Sequence, residues 1–290
     1  MRAADSFRSG ILNSIIETQS LCCDYNGEPA LKNVSISIPK GKMTFVLGGN
    51  GAGKSTLFLA LNGIIKPSGG RVLFNGEPLK YDKQSLRKAR ERIALVFQNP
   101  DDQLFCASVY EDISFGAVNM GLDEKEVRRR VDEAMEITGV TAFKDKSVHA
   151  LSCGQKKRAA IAGVLVMEPE VMILDEPTAG LDPEGTGEIM SALRKIKKEK
   201  NLTIIISTHD MDMAPVYAEW VYLLDRGEVA AGGEAEKFFA SPEILRAHKL
   251  RLPRVSHLLE ILNKHDGISV SSAAATISAA RNELLGHISR

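Results

Sequence analysis

Short apolar runs separated by stretches of helix-like spacing recur along the chain up to about residue 233. Met43–Leu47 is a β-compatible run ending at a glycine-rich turn, and residues 54–65 set Leu57, Leu61 and Ile64 at helical spacing. Strand, loop and helix are predicted in that order. Residues 93–97, 171–174 and 202–207 are further short runs rich in Ile, Leu and Val, as expected of parallel strands covered on both faces. Residues 71–74 followed by Asn75-Gly76 predict an antiparallel hairpin, because Asn-Gly accepts the positive φ of a tight turn. A closing hairpin is predicted around Asp225-Arg226-Gly227, from residues 220–224 and 228–231.

Residues 100–166 are dominated by helix formers and read as a helical insertion. Within it Asp123 predicts an N-cap, with Glu126 three residues on completing a capping box, for a helix running through Arg128 to Ile137. Asp182-Pro183 places a capping side chain before a proline at the first helical position and opens a helix to about Lys198. From Glu234 the pattern changes to helical pieces broken by Pro242 and Pro253, ending in a small-residue stretch, 271–280, expected to be a poorly ordered helix or tail. The organisation read from this is an N-terminal extension over 1–14, a main domain over 15–233 and a C-terminal extension over 234–290.

Composition narrows the classes. Lys plus Arg number 37 and Asp plus Glu number 37, so overall charge makes no case for a nucleic-acid partner. The apolar runs fall short of the ~18 residues that cross a bilayer. Arg2 and Arg8 occur without the uninterrupted apolar core of a secretory signal, so the chain is expected to stay on the cytoplasmic side and to meet a membrane only through partners. Cys22, Cys23, Cys106 and Cys153 have neither metal-ligand spacing nor the density of a disulfide framework, and reduced thiols are expected.

Candidate chemistry begins at Gly48-Gly49-Asn50-Gly51-Ala52-Gly53-Lys54-Ser55-Thr56, which matches Gly-x4-Gly-Lys-[Ser/Thr] between a predicted strand and a predicted helix. Glycines let backbone N–H groups curl around phosphate oxygens, and the helix N-terminus adds partial positive charge. Lys54 is expected to reach the β- and γ-phosphates and the Ser55 hydroxyl to ligate Mg²⁺. The run 171–174 delivers Asp175 and Glu176 at its C-terminal end, the edge where open parallel sheets bind ligands. Asp175 is the expected magnesium-side carboxylate, and Glu176, pointing differently, is the expected general base for an attacking water. His209 emerges at the same edge, placed to hydrogen-bond the γ-phosphate or to orient Glu176 and water; Gln98 is placed to touch Mg²⁺ or the water, or is a plain loop amide.

With Leu151-Ser152-Cys153-Gly154-Gln155 ahead of the Asp175-Glu176 strand, the chain resembles the ATPase subunits of ABC transporters, whose signature reads Leu-Ser-Gly-Gly-Gln. The likeness covers about residues 15–233 and takes in Ala179-Gly180-Leu181-Asp182 as the D-loop, His209 as the switch histidine and Tyr25 at the place of an aromatic that stacks on adenine. It implies an α/β phosphate-loop NTPase fold of the ABC ATPase type: a RecA-like core, an antiparallel β subdomain and a helical subdomain. It further implies ATP and Mg²⁺ as cofactors and a head-to-tail dimer. There Ser152, Cys153, Gly154 and Gln155 of one protomer face the γ-phosphate held by the other.

Within that family, Gln98-Asn99-Pro100-Asp101-Asp102-Gln103-Leu104-Phe105 resembles the Gln-loop region of energy-coupling-factor importers, which take up vitamins and transition-metal ions. Asp112-Ile113-Ser114-Phe115-Gly116 and Phe238-Phe239-Ala240-Ser241-Pro242-Glu243 resemble the same group, and the likeness extends to the ATPase subunits of cobalt importers. This implies a second ATPase subunit, a transmembrane coupling subunit and a substrate-binding membrane subunit as partners. The intact set of active-site residues allows the second ATPase subunit to be an identical chain. Competing readings are the ATPase of another importer, for nickel, a vitamin or an amino acid; a soluble ABC ATPase acting on ribosomes or DNA, disfavoured by one cassette and balanced charge; and a kinase, for which the signature has no use.

Cys153 stands where the resembled signature has Gly, at a place where backbone is expected to pass close to phosphate. A thiol-alkylating reagent is expected to slow ATP hydrolysis while Cys153→Gly stays active, and a steady-state assay before and after alkylation checks it.

Overall fold

The computed structural model describes residues 13–25 and 27–288. Of the N-terminal extension expected over 1–14, residues 1–12 lie outside the described residues. In chain order, β1 (Ser14–Tyr25), β2 (Glu28–Val34) and β3 (Ser37–Pro39) lead into β4 (Met43–Leu47) and α1 (Lys54–Leu61). Then come β5 (Gly69–Phe74), β6 (Glu77–Pro78), α2 (Lys83–Arg92) and β7 (Ile93–Val96). Next are the helices α3 (Val109–Asn119), α4 (Glu124–Thr138) and α5 (Cys153–Leu165), before β8 (Val171–Leu174), α6 (Pro183–Lys200) and β9 (Thr203–Thr208). A short α7 (Ala214–Tyr217) precedes β10 (Trp220–Asp225) and β11 (Glu228–Glu234). The chain then runs through α8 (Ala235–Phe239), α9 (Pro242–Ala247), α10 (Arg254–Lys264) and α11 (Ile277–Ile288).

Two sheets result. One is antiparallel, in the order β2-β1-β5-β6 with β3 also on β1. The other runs β11-β10-β4-β9-β8-β7, parallel throughout except for the edge strand β11. All residues of β4, β7, β8 and β9 are buried, which is why their sequences are mainly apolar and not alternating, the exceptions being the buried hydroxyl residues Thr44, Thr203, Ser207 and Thr208. Side-chain alternation along these strands divides the interior in two. Phe45, Val96, Leu174 and Ile206 face a core shared with α3 to α6. Val46, Leu95, Ile173 and Ile205 face a core shared with α1 and the antiparallel sheet.

Several expectations are corrected. The predicted 54–65 helix ends at Leu61, where Asn62 is the C-cap and Gly63 turns with φ +74°. Asp123 does cap α4 through the Glu126 N–H, but the Glu126 side chain does not return to the cap. It is taken by Arg129 and Arg130, whose hydrogen bonds hold its carboxyl down at about 2. The helical pieces are separated at Pro242 and Pro253 as expected, each proline standing at the start of the next helix: Pro242 is the first residue of α9 and Pro253 the N-cap of α10. The small-residue stretch is irregular only before Ile277, and Leu259, Val270 and Ala280 bury one another between α10 and α11.

The C-terminal helices are tied back to the main domain. Phe238, Phe239, Leu245 and Leu252 belong to the helical-side core. Arg251 and Arg254 hold Asp212, with the shortest contacts at 2.7–2.8 Å, and His248 Nδ1 lies 2.8 Å from Asp225. No helix among the described residues is long and apolar enough to cross a membrane.

The entry to β4 is pinned by Glu219, which accepts from the Met43 N–H at 2.9 Å and pairs with Lys42 and Lys197 at 3.2 and 2.7 Å. Burial pushes this carboxyl upward, but the bonds from Lys197, Met43 and Lys42 outweigh it and hold it below its ordinary 4.5. A depressed folded pKa contributes stability that is present above the unfolded value and lost as pH falls through the folded one. Glu219→Gln is therefore expected to lower the denaturation midpoint at pH 7 and to match wild type once the pH lies below the folded value. Urea titrations at several pH values read this out.

Candidate active site

The loop from Gly48 to Gly53 links buried β4 to α1, and its glycines are required by space as well as by φ. A Cβ at Gly48 would lie 2.4 Å from the Leu224 carbonyl oxygen; at Gly53, with φ +102°, it would lie 2.9 Å from the Ala30 oxygen and a Leu31 methyl. Lys54, 6% exposed, donates to the carbonyls of Gly48 and Gly49 at 2.9 and 3.0 Å, and its Nζ lies 3.7 Å from Glu176 Oε1. This folds the loop around its own ammonium. The result is a groove of about 500 Å³ lined by Tyr25, Ala30, residues 50–56, Gln98 and Glu176.

The second half comes from the ends of β8 and β9. Asp175 is buried, and Ser207 Oγ donates to its Oδ1 at 2.5 Å while accepting the Glu176 N–H at 2.8 Å. One hydroxyl thus braces both carboxylate residues. The Glu176 backbone is left-handed, φ +44°, and its carboxylate lies between Lys54 on one oxygen and His209 Nδ1, at 3.0 Å, on the other. His209 is exposed, and the segment after it is anchored by Asp210, which accepts from the N–H groups of Asp212 and Met213.

The structure brings Tyr25, Asn50, Gly51, Ala52, Gly53, Lys54, Ser55, Thr56, Gln98 and Glu176 to one groove, with Gly48 and Gly49 behind it. Asp175 lies behind Glu176 through Ser207, and His209 reaches the groove through Glu176. Mg²⁺ fits the hard oxygens on the groove wall, the Ser55 hydroxyl and the Gln98 amide oxygen, whereas Asp175, expected from the sequence on the magnesium side, is buried against Ser207 and is not among the lining residues.

The signature residues are elsewhere. Ser152 caps α5 in a reciprocal box with Gln155, and Cys153 is an exposed thiol in its first turn. Ser152, Cys153, Gly154 and Gln155 line a separate groove of about 380 Å³ with Arg158 and Gly180 to Asp182, sharing no residue with the first. Asp182 belongs to this second groove, where its Oδ1 caps α6 through the Gly185 N–H at 2.7 Å. Sequence reasoning missed Ser207, which reads as one more residue of a buried strand, and Lys157, which reads as part of a solvated Lys-Lys-Arg run.

Comparison with known proteins identifies the family. Residues 31–179 match the family model described as ABC transporter. The chain is 52% identical over 271 residues to an energy-coupling factor transporter ATP-binding protein, EcfA3, of Clostridium perfringens, covering 93% of this chain and 95% of that one. It is 50% identical over 275 residues to EcfA of Methanocaldococcus jannaschii, covering 94% and 98%. Among solved structures it is similar to cbiO1 from Clostridium perfringens, described as part of the ABC transporter complex cbiONQ, with TM-score 0.75, 54% identity and coverage of 86% and 100%. It is also similar to the dimeric ATP-binding cassette MJ0796 in a post-hydrolysis state with ADP and Pi, with TM-score 0.70, 26% identity and coverage of 76% and 98%.

Because Ser207 holds the Asp175 carboxylate and the Glu176 backbone together, Ser207→Ala leaves a buried acceptor without its donor, a loss of about 1–3 kcal/mol. The variant is expected to turn over roughly tenfold or more slowly than wild type with little change in nucleotide affinity, measured by steady-state kinetics and ATP titration.

Proposed function

The chain belongs to the ABC transporter ATPase family, as an ATP-hydrolysing subunit of the energy-coupling-factor type that energises a membrane importer, and from that premise we propose that two copies close head to tail around Mg-ATP to drive cobalt uptake. One observation carries the dimer: the phosphate-loop groove and the signature groove share no residue, so a single chain leaves the γ-phosphate without signature donors. Closing two copies head to tail sets each signature against the other's phosphates, completing both sites by the same contact.

Roles follow from position. Backbone N–H groups of Asn50 to Thr56 and the α1 N-terminus bind phosphate oxygens, and Lys54 neutralises their charge. Ser55 and Gln98 on the groove wall, with Asp175 behind Glu176, would hold Mg²⁺, which would supply charge neutralisation on the phosphoryl oxygens. Glu176 accepts the proton of the attacking water. His209 fixes the far oxygen of Glu176, so that the near one faces the groove. Tyr25, at the mouth of the groove and half exposed, packs against the adenine ring. From the facing copy, Ser152 and the first N–H groups of α5 add donors where negative charge develops.

The coupling surface is a wider groove of about 900 Å³ between α2, α3 and α5. Phe105, 62% exposed, meets Phe115 edge-on with ring centroids 4.9 Å apart, and Gly116, Met120 and Met167 complete an apolar floor. Asp112 holds Phe105 there by accepting the N–H groups of Phe105 and Cys106, both at 2.8 Å. Such a floor suits a short helix of a transmembrane coupling subunit, which would place the ATPase on the cytoplasmic face of the membrane through its partners. A separate substrate-binding membrane subunit then carries the solute. Balanced charge leaves nucleic acid out of the scheme. The assignment of cobalt is supported by the sequence likeness to the ATPase subunits of cobalt importers.

Purified Glu176→Gln is expected to dimerise at saturating Mg-ATP, and wild-type specific activity to fall on dilution; a monomeric variant with undiminished dilute activity would contradict the dimer. Expressed with its genomic neighbours, the chain is expected to support ATP-dependent uptake of labelled cobalt. Uptake of nickel or a vitamin without cobalt would overturn the substrate.

A further inference from the structure

A left-handed backbone is unusual for a glutamate and persists only where its surroundings fix it. At Glu176, φ +44°, both peptide groups are held. The N–H goes to Ser207 Oγ at 2.8 Å. The carbonyl accepts from the Ala179 N–H at 3.1 Å and from Lys157 Nζ at 3.3 Å, and the same ammonium donates to the Ala179 carbonyl at 2.6 Å. Lys157 therefore spans the turn that comes after the base.

The lysine is in an expensive place. It is 4% exposed, stands on α5 and forms no ion pair among the described residues. Burial holds its pKa below the ordinary lysine value, while Cys153 and Glu176 pull it the other way. An ammonium desolvated only to meet two backbone carbonyls contributes little that an apolar side chain of the same length would not supply by packing. Its use is in what those carbonyls belong to. Lys157 sits five residues after Ser152, just over one helical turn into α5.

We propose that Lys157 is a positioning residue for hydrolysis: by gripping the carbonyls of Glu176 and Ala179 it fixes the turn that presents the Glu176 carboxylate to Lys54 and His209. Because α5 begins at the signature, the same side chain ties the groove that meets the facing copy's phosphates to the base of its own site. Any shift of α5 on signature engagement is thereby transmitted to the Glu176 backbone. The proposal takes Glu176 as the base from the proposed function, and the experiment separates the two.

Lys157→Met keeps length and removes the donors. It is expected to stay folded and to bind a fluorescent ATP analogue within about threefold, with KM little changed. It should retain ATP-driven dimerisation in the Glu176→Gln background, yet show kcat lowered by roughly ten- to a hundredfold, the range of a misplaced reacting group. In single-turnover assays the same substitution on Glu176→Gln should cost less than about twofold more, because a residue that acts through another has nothing left to position. Wild-type kcat in folded Lys157→Met, or an equal loss with and without Glu176, would overturn the proposal. Should Lys157→Met fail to fold, Lys157→Gln, which keeps an N–H donor, carries the same comparison with a smaller loss. If Glu176→Gln alone retains wild-type turnover, the assignment of the base fails, whatever Lys157 does.

Discussion

The parallel register of four buried strands is the constraint on which the site depends. Leu47 lies opposite Thr208, Val46 opposite Ser207, Ile206 opposite Leu174 and Leu174 opposite Val96, so β4, β9, β8 and β7 end at nearly the same level. The segments leaving these strands must emerge at one edge. They are the phosphate loop after β4, Asp175-Glu176 after β8, His209 after β9 and Gln98 shortly after β7. Ser207, the last strand residue but one in β9, then crosses to β8 and locks two of these ends together. A one-residue slip in any pair would flip alternate side chains across the sheet and disperse the set.

Much of this edge was legible in the chain because the buried strands are short, mainly apolar runs and the phosphate loop is a spaced motif in the right context. The antiparallel sheet was not. β1 is interrupted by register shifts against β2, β3 and β5, and Ser20 takes φ +49°, so the alternation that would announce a twelve-residue strand is broken. The helix α2 escaped notice because Lys83–Arg92 is almost wholly polar, with Ala89 its one buried residue. Ser207 and Lys157 hid for a common reason. Each looks ordinary in its local run, and only the packing of β9 on β8, and of α5 over the turn after β8, shows that each is buried against the backbone of Glu176.

In the proposed dimer the two grooves divide the labour between copies. The phosphate-loop groove supplies lysine, hydroxyl and carboxylates; the signature groove supplies a helix N-terminus whose capping hydroxyl, Ser152, is already oriented by Gln155. In that dimer, keeping them apart in one chain would make hydrolysis conditional on assembly. The C-terminal helices reach the same machinery from the far side. Arg251 and Arg254 grip Asp212 close after His209, and His248 meets Asp225 beside the hairpin whose Gly227 N–H bonds the Ala52 carbonyl of the phosphate loop. The loop, the segment after His209 and the extension thus form one connected frame.

The division between copies is tested most directly by mixing two disabled chains, one Lys54→Ala and one Gly154→Asp. A Cβ at Gly154 meets only Leu181 at 3.7 Å, so the new carboxylate opposes phosphate without disturbing α5. A mixed dimer pairs the intact phosphate loop of one chain with the intact signature of the other. ATPase activity of the mixture rising above the sum of the separate chains is the predicted result; activity that stays at that sum, with mixed dimers present, would contradict the shared site.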